Sequence, residues 1–212
     1  MIMKKIKLLK KHKKESSKWL SRHLKDEYVL KSKKEGFRSR SSYKLIQIDE
    51  KFNFLKTRKK ILDLGCAPGG WMQVARKFCS QNTLILGIDK LPIEPIKGTF
   101  FFKGDIYDDE ILRYIKIFFK SKIDLLVSDM SPNVTGNKMV DHLRIISLVE
   151  RVMELTNEIL EKEGIIVLKI FQGGMQGDLK DKMKSSLSKI KSFKPKASRK
   201  ESPELYIIAK KK

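Results

Sequence analysis

The 212-residue sequence predicts an α/β fold with a mostly parallel β-sheet covered by helices on both faces. Two observations predict it: short apolar runs alternate with amphipathic segments of helical spacing, and a glycine-rich turn follows the first apolar run. Hydrophobic residues make up 41% of the chain, which excludes a disordered polymer and is enough for one sizeable core. We expect a flexible basic tail over residues 1–15 and a single domain over 16–212, in which a helical segment (16–56) precedes an α/β core (57–212).

The individual elements follow from these patterns in chain order. From Ser17, apolar residues near helical spacing predict helices that are interrupted around Gly36. Strands are then predicted at residues 59–64, 83–89, 99–105, 123–130, 165–171 and 203–211. Helices are predicted at residues 69–79, 109–119, 142–164 and 177–190. Because helices separate most of the consecutive strands, βαβ units and parallel pairing are expected.

The charge of the chain predicts a polyanionic partner. There are 47 Lys and Arg against 25 Asp and Glu, a formal net charge of +22. Residues 1–40 carry fifteen basic and four acidic residues, and residues 180–200 carry nine basic residues and one acid. Two basic regions around a balanced centre are typical of a protein that holds a phosphate backbone. A proteome rich in lysine is the alternative source of part of this excess.

The few cysteines and histidines do not form a metal-site pattern. Cys66 and Cys79 lie too far apart for a CxxC motif, and the three histidines are isolated, so no metal is expected. The absence of a disulfide framework favours a reducing cytoplasm, with an organelle matrix left open. No apolar run is long enough to span a membrane, so we expect no membrane association. The expected state is a monomer.

The glycine-rich turn and two acids predict a nucleoside site. The turn reads D-x-G-x-x-x-G-G from Asp63, unlike the G-x-G-x-x-G of dinucleotide-binding proteins, which disfavours a nucleotide-dependent dehydrogenase. Asp89 ends the second strand, where a carboxylate accepts ribose hydroxyls. Asp105 ends the third strand and is placed to accept a hydrogen bond from an adenine amino group. A ligand with an adenosine and an amino-acid part suits this longer, acid-led turn.

Seven stretches resemble one family in matching order over residues 16–210. They read "FRSRSSYKLIQIDEKF", "LDLGCAPGGWMQ", "IDKLPIEPI", "KGDIYD", "SDMSPNVTG", "LKIFQGG" and "SRKESPELYIIA". Together they resemble the FtsJ-type ribosomal RNA 2′-O-ribose methyltransferases. The resemblance implies a Rossmann-like methyltransferase fold and S-adenosylmethionine as cofactor. The sequence departs from the family at Ser42, Cys66 and Ser131, where alanine is commoner, and none of these removes a side chain that the chemistry needs.

The resemblance implies a four-residue catalytic set. It falls on Lys44, Asp129, Lys169 and Glu204. Lys169 also stands out from the residues alone, because a charged side chain inside an apolar strand needs a partner or a purpose. We hypothesise that Lys169 takes the proton of the ribose hydroxyl, while the other three tune and orient it. In the competing version Lys169 stays charged and stabilises the developing alkoxide.

The resemblance also implies the binding residues. Cofactor contacts are expected from Gly69, Trp71, Asp89, Asp105 and Asp129, although Trp71 is equally well explained as a core aromatic. Asn133 and Thr135 are expected to shape the loop beside the transferred methyl group. RNA phosphates are expected to contact a basic group that precedes Lys44, which comprises Lys33, Lys34, Arg38 and Arg40.

The expected function is 2′-O-methylation of a ribose in RNA that depends on S-adenosylmethionine. Within the family, "SSKWLSRHLKDEYV" and "LPIEPI" resemble the bacterial-type enzyme that modifies a uridine in the A loop of large-subunit ribosomal RNA. The expected partner is therefore ribosomal RNA within the large subunit. The alternatives are a tRNA 2′-O-ribose methyltransferase and a non-catalytic RNA-binding module for ribosome assembly.

Overall fold

The computed structural model describes residues 26–132, 135–136, 138–172 and 178–212. The predicted basic tail and the predicted start of helix at Ser17 lie outside the described residues. The helices are α1 (Glu27–Glu35), α2 (Ser42–Phe52), α3 (Gly70–Phe78), α4 (Asp109–Phe119), α5 (Lys138–Ile159) and α6 (Asp178–Ser186). The strands are β1 (Lys60–Leu64), β2 (Leu84–Asp89), β3 (Phe100–Lys103), β4 (Ile123–Ser128), β5 (Leu160–Phe171), β6 (Leu187–Phe193) and β7 (Glu204–Lys211).

These strands form one seven-stranded sheet in the order β3-β2-β1-β4-β5-β7-β6. The first five strands in that order pair in parallel, and β7 pairs antiparallel with both β5 and β6. The order reverses between β1 and β4, which is where open α/β sheets bind their ligands. The predicted α/β fold with a mostly parallel, helix-flanked sheet is confirmed.

Two apolar clusters sandwich the sheet. On one face, buried side chains of the strands pack against α4, α5 and α6, as Ile115 and Val152 do. On the other face they pack against α2 and α3, with Ile48 and Met72 fully buried. The break around Gly36 is also confirmed: α1 ends there with a backbone φ of 74° that glycine adopts without strain. The segment from 36 to 41 then turns the chain into α2, which carries Lys44.

The bounds of two predicted helices are wrong. The helix predicted over 177–190 ends at Ser186, and residues 187–193 form the unpredicted strand β6. β6 is an edge strand that pairs with β7 alone. Because an edge strand tolerates exposed lysines and serines, its sequence lacks the regular alternation of apolar and polar residues that predicts a strand. The helix predicted over 142–164 begins at Lys138 and ends at Ile159, and β5 starts at Leu160, which pairs with Ile123 of β4.

Lysines at strand ends cap the C-termini of three helices. The Lys60 amine donates to the carbonyl of Phe119, the last residue of α4, at 3.0 Å. Lys211 donates to the carbonyl of Thr156 in the last turn of α5 at 3.3 Å, and Lys212 to that of Lys184 in α6. These carbonyls have no partner within their helices and carry the negative end of the helix dipole. Part of the lysine excess therefore stabilises the fold.

Replacing Lys60 with methionine is expected to lower the free energy of unfolding by about 1 kcal/mol, because α4 loses a charged donor at its C-terminus. Urea unfolding followed by circular dichroism measures the change. Lys59→Met is the matched control, since this neighbouring lysine is exposed and its substitution changes the net charge equally. Equal destabilisation by both substitutions would show that the cap contributes nothing.

No helix in the described ranges is long and apolar enough to cross a membrane.

Candidate active site

A cavity of about 720 Å³ opens at the carboxyl ends of the first four strands. Its wall is formed by residues that follow β1, β2, β3 and β4 and by one face of α5; among them are Gly65, Ala67, Asp89, Leu91, Asp105, Tyr107, Asp129, Met130 and Ser147. Pockets of this size hold cofactor-sized molecules. The cavity therefore lies where the reversal of strand order predicts a ligand.

Asp89 holds together the two loops that border the cavity. One carboxylate oxygen accepts the backbone N–H of Ala67, after β1, and the other accepts that of Leu91, after β2, each at 2.9 Å. A carboxylate offers about four lone-pair sites, so roughly two remain for a ligand after these bonds. Asp89 is thus both a structural bridge and an acceptor in the cavity wall.

Asp105 forms the next part of the wall with a cation beside it. Its carboxylate lies 2.6 Å from the Lys90 amine and accepts the backbone N–H of Tyr107 at 3.2 Å. Burial acts to raise the pKa of Asp105, but the hydrogen bonds from Lys90 and Tyr107 outweigh it and lower the pKa. The Lys90 side chain is 64% exposed, so it is free to swing away when a ligand approaches Asp105.

The turn after β1 depends on glycine at its first position. Gly65 has a φ of 73°, and a Cβ there would lie 2.0 Å from Cγ of Met130. The backbone of the turn can lie this close to the segment after β4 because Gly65 has no side chain. Both residues face the cavity.

Asp63 lies behind the cavity as a fully buried acid. It occupies β1, and its Oδ2 atom has no hydrogen-bond partner among the described residues. Burial raises the pKa of Asp63 well above its usual value, and the nearby carboxylates of Asp129 and Asp89 raise it further. The sequence identified Asp63 only as the start of the turn; a charged side chain inside an apolar strand was the available signal for its burial.

The structure brings the four predicted catalytic residues together. The Lys169 amine lies 3.1 Å from Oδ1 of Asp129 and donates to the Asp129 backbone carbonyl at 2.5 Å. The Lys44 amine lies 2.9 Å from Oε2 of Glu204 and 3.7 Å from Oδ1 of Asp129. Asp129 is the shared centre of the set and also lines the cavity.

These four side chains form a buried group with balanced formal charges. Their exposed fractions lie between 8% for Lys169 and 18% for Asp129, so water screens them little. Isolated buried charges are costly, whereas two ammonium groups beside two carboxylates offset one another. The sequence predicts the residues but not this pairing, because they come from α2, the end of β4, β5 and β7.

Tyr206 completes the set and was not predicted. Its hydroxyl donates to Oδ1 of Asp129 at 2.5 Å, and its ring lies 5.6 Å from the Lys44 amine. Burial raises the pKa of Tyr206 well above its usual value, and the charges of Asp129 and Glu204 add to the effect. The hydroxyl therefore stays protonated and donates to Asp129. Its position two residues after Glu204, on the same face of a strand, was the available signal.

Of the predicted cofactor contacts, Asp89, Asp105 and Asp129 line the cavity, whereas Gly69 and Trp71 are not part of its wall. Trp71 is buried on α3, donates its indole N–H to the carbonyl of Ser41 at 2.9 Å and packs against the ring of Tyr206. It has the contacts of the core aromatic that the sequence left as an alternative. Gly69 forms the N-terminal cap of α3.

The predicted RNA contacts divide into exposed and engaged groups. Lys33 and Lys34 are exposed on the last turn of α1. The Arg40 side chain lies 3.1 Å from Oδ2 of Asp26 and donates to the carbonyl of Ala197 at 2.7 Å, and the Arg38 guanidinium donates to three backbone carbonyls. Both arginines therefore hold segments of the protein itself.

Asn133 and Thr135 were predicted to shape the loop beside the transferred methyl group, and the structure describes one of them. Asn133 lies outside the described residues. Thr135 donates from its backbone and its hydroxyl to Oδ1 of Asp141, each at 2.7 Å. These bonds tie the chain before α5 to the first turn of that helix.

Comparison with known sequences identifies close relatives. The sequence profile of the FtsJ-like methyltransferases matches residues 37–212. The chain is 42% identical over 195 residues to the "Ribosomal RNA large subunit methyltransferase E" of Granulibacter bethesdensis, covering 92% of this chain and 84% of the relative. It is 45% identical over 204 residues to the protein of the same name from Novosphingobium aromaticivorans, covering 96% and 91% respectively.

Comparison with solved structures agrees with the fold. A Plasmodium falciparum protein described as a ribosomal RNA methyltransferase superposes with a TM-score of 0.72 at 32% identity, over 82% of this chain and 98% of that one. A fibrillarin from Methanococcus jannaschii superposes with a TM-score of 0.52 at 12% identity, over 74% of this chain and 68% of that one, which shows likeness of fold alone.

Proposed function

The chain belongs to the FtsJ-like methyltransferase family, and we propose that it methylates the 2′-hydroxyl of a ribose in large-subunit ribosomal RNA, at a uridine of the A loop. The observation that supports this best is the contact of Lys169 with Asp129 at the wall of the cavity. This contact supports a role in proton transfer for the Lys169 amine, since Asp129 lines a cavity whose size suits a nucleoside cofactor. The relatives' shared name supports the large subunit rather than tRNA as the source of the substrate.

The cavity suits S-adenosylmethionine. Asp89 would accept hydrogen bonds from the ribose hydroxyls with the lone pairs that its two backbone partners leave free. Asp105 would accept from the adenine amino group once the exposed Lys90 moves aside. Gly65 supports the fit, since the close approach that it allows draws the turn and the segment after β4 together at the cavity. When bound, the cofactor supplies a methyl group to an attacking oxygen.

Asp129 orients the amine of Lys169. A neutral amine carries two N–H donors and one lone pair, and Asp129 provides two acceptors, its Oδ1 atom and its backbone carbonyl oxygen. Once both donors bind Asp129, the lone pair is left to take the proton of the ribose hydroxyl as that oxygen attacks. Orientation of this kind turns a flexible lysine into a positioned base.

The remaining members of the set hold Asp129 in place. The Tyr206 hydroxyl fixes Oδ1 from one side, and Lys44 approaches the same oxygen while it is held by Glu204. Lys44 and Glu204 therefore act through Asp129, and their opposite charges offset each other. Because α2 carries Lys44 and directly follows the segment of Arg38 and Arg40, the contacts of that segment also help to position the catalytic set.

The rate of methyl transfer is expected to rise with pH through a single ionisation, because only the neutral amine of Lys169 takes the proton. Lys169→Arg is expected to remain inactive across the same pH range, since a guanidinium does not lose its proton in water. Single-turnover rates at saturating S-adenosylmethionine test this. A flat profile together with an active Lys169→Arg enzyme would instead assign Lys169 to charge stabilisation.

A further inference from the structure

The Arg38 guanidinium bridges two loops that border the cavity, through residues that are not part of its wall. Its Nη1 atom donates to the carbonyls of Pro68 at 3.2 Å and Glu94 at 2.5 Å, and its Nη2 atom donates to that of Pro95 at 2.9 Å. Pro68 belongs to the turn after β1, and Glu94 and Pro95 belong to the loop after β2. The two loops have no hydrogen-bonded strand pairing with each other at these residues, so Arg38 supplies their connection there.

The same two loops are connected from the cavity side by Asp89. Its carboxylate accepts the N–H of Ala67 in the first loop and of Leu91 in the second. Ala67 is the neighbour of Pro68, and both Ala67 and Leu91 line the cavity. The Asp89 carboxylate, which lines the cavity, and the Arg38 guanidinium, which lies outside it, therefore hold the two loops at a fixed separation.

The half-buried Arg38 side chain lies close to the turn after β1. A Cβ on Gly69 would lie 3.0 Å from Nη1 of Arg38 and 2.7 Å from Cδ1 of Ile96, and Gly69 has a φ of 104°. The turn after β1 therefore lies against the arginine and the second loop.

The backbone of Arg38 is fixed by a side chain of α3. Gln73 accepts the backbone N–H of Arg38 at 2.8 Å and donates to the carbonyl of Gly36 at 3.0 Å. Gln73 thereby aligns the segment between α1 and α2 with the helix that begins at the glycine-rich turn. Gln73 therefore fixes the backbone of Arg38, and three backbone carbonyls accept hydrogen bonds from its guanidinium.

We propose that Arg38 is a positioning residue for the cofactor pocket, and that it sets the spacing of the two loops that receive the nucleoside. This inference rests on the proposed use of S-adenosylmethionine. Arg38 uses three N–H donors on backbone carbonyls, so its fork geometry matters and its charge alone does not suffice. The sequence placed Arg38 among phosphate contacts because a basic residue before the catalytic helix carries no sign of which acceptors it meets.

The conservative variant Arg38→Lys separates the two roles. A lysine keeps the positive charge for phosphates but lacks the planar fork that reaches three carbonyls in two loops. Calorimetry of the full-length chain with S-adenosylmethionine is expected to show at least about tenfold weaker binding, which is ~1.4 kcal/mol. Anisotropy with a short single-stranded RNA is expected to show unchanged affinity and salt dependence. Under saturating cofactor, kcat should largely recover.

The matched control is the double variant Lys33→Met, Lys34→Met, whose side chains are exposed on α1. It is expected to leave cofactor affinity unchanged. For the RNA, the slope of log K against log salt should become shallower by about 0.7 for each phosphate that these lysines neutralise in the wild type. An Arg38→Lys protein that binds S-adenosylmethionine like the wild type, or that binds RNA more weakly instead, overturns the inference.

A second variant covers the case in which Arg38→Lys does not fold. Gln73→Met releases the Arg38 backbone without altering charge or the cavity wall, and it should weaken cofactor binding in the same direction by a smaller factor. Unchanged binding in Gln73→Met would then count against the inference. Failure of the wild type itself to bind S-adenosylmethionine would overturn the proposed function and, with it, this inference.

Discussion

Replacing Lys169 with methionine is expected to lower the rate of methyl transfer by about 10²–10⁴-fold, the usual contribution of a positioned general base. Methionine preserves the length and much of the volume of the side chain but has no lone pair that accepts the ribose proton. S-Adenosylmethionine should still bind, because Lys169 is not part of the cavity wall. Single-turnover transfer of a labelled methyl group, with calorimetry of cofactor binding alongside, measures both quantities.

The control for this substitution is Lys191→Met, which removes an exposed lysine of the edge strand β6 and should leave the rate unchanged. The thermal midpoint of Lys169→Met must also be measured, because Asp129 loses one of its two cationic neighbours. Lys44 and Tyr206 remain beside that carboxylate, so the protein is expected to fold. A folded Lys169→Met enzyme within about tenfold of the wild-type rate would remove Lys169 from the proton transfer.

Replacing Asp89 with alanine is expected to weaken S-adenosylmethionine binding by about 10²-fold, or ~2.7 kcal/mol. Two effects add: the ribose hydroxyls lose a charged acceptor, and the backbone N–H groups of Ala67 and Leu91 lose the carboxylate that joins their loops. Calorimetry on the purified variant gives the dissociation constant directly.

Asp181→Ala is the matched control, since it removes an exposed acid from α6 that is not part of the cavity wall. Saturating cofactor should restore much of the methyl transfer in Asp89→Ala, because the catalytic set around Asp129 is untouched. Wild-type affinity in Asp89→Ala would mean that the nucleoside does not use this part of the cavity.

Sequence patterns predicted six of the seven strands and missed the edge strand β6. Strands β1 and β4 are mostly apolar because helices cover both faces of the sheet there, and such runs are easily recognised. Strand β6 has only one neighbour, and its exposed lysines favour a helical interpretation. The start of β5 was missed because Leu160 enters the sheet directly after α5, without a proline or glycine between them.

In the candidate site, acids at strand ends were predictable from the sequence, whereas the contact partners of Arg38 and Asp129 were not. Asp89 and Asp105 were predicted to line it because each lies at the end of a strand, and topology alone brings strand ends together. Asp129 was predicted as a cofactor contact from the family resemblance. The partners of Arg38 were not predictable, since they are backbone carbonyls of residues 30 and more positions away and leave no trace in residue type. Tyr206 was missed because tyrosine in an apolar strand is ordinary until a carboxylate is found beside its hydroxyl.

The charge of +22 has at least two physical roles. Lys60, Lys211 and Lys212 satisfy the carbonyls of helix ends, and Arg38 and Arg40 hold loops. Exposed residues such as Lys33 and Lys34 remain as candidates for phosphate contact. Salt-dependent RNA binding should therefore respond to the exposed lysines, whereas substitutions in the first group should appear in stability or cofactor affinity.

The position of the transferred methyl group shows directly whether the protein methylates a ribose of the A loop. The purified protein is incubated with undermethylated ribosomal subunits and S-adenosylmethionine that carries a labelled methyl group, and the labelled nucleotide is then identified by nuclease digestion and mass spectrometry. One label is expected on the 2′-oxygen of a uridine in the A loop of large-subunit RNA, and none is expected with Lys169→Met. Label on a base, label only on tRNA added to the same reaction, or no label despite bound cofactor would contradict this expectation.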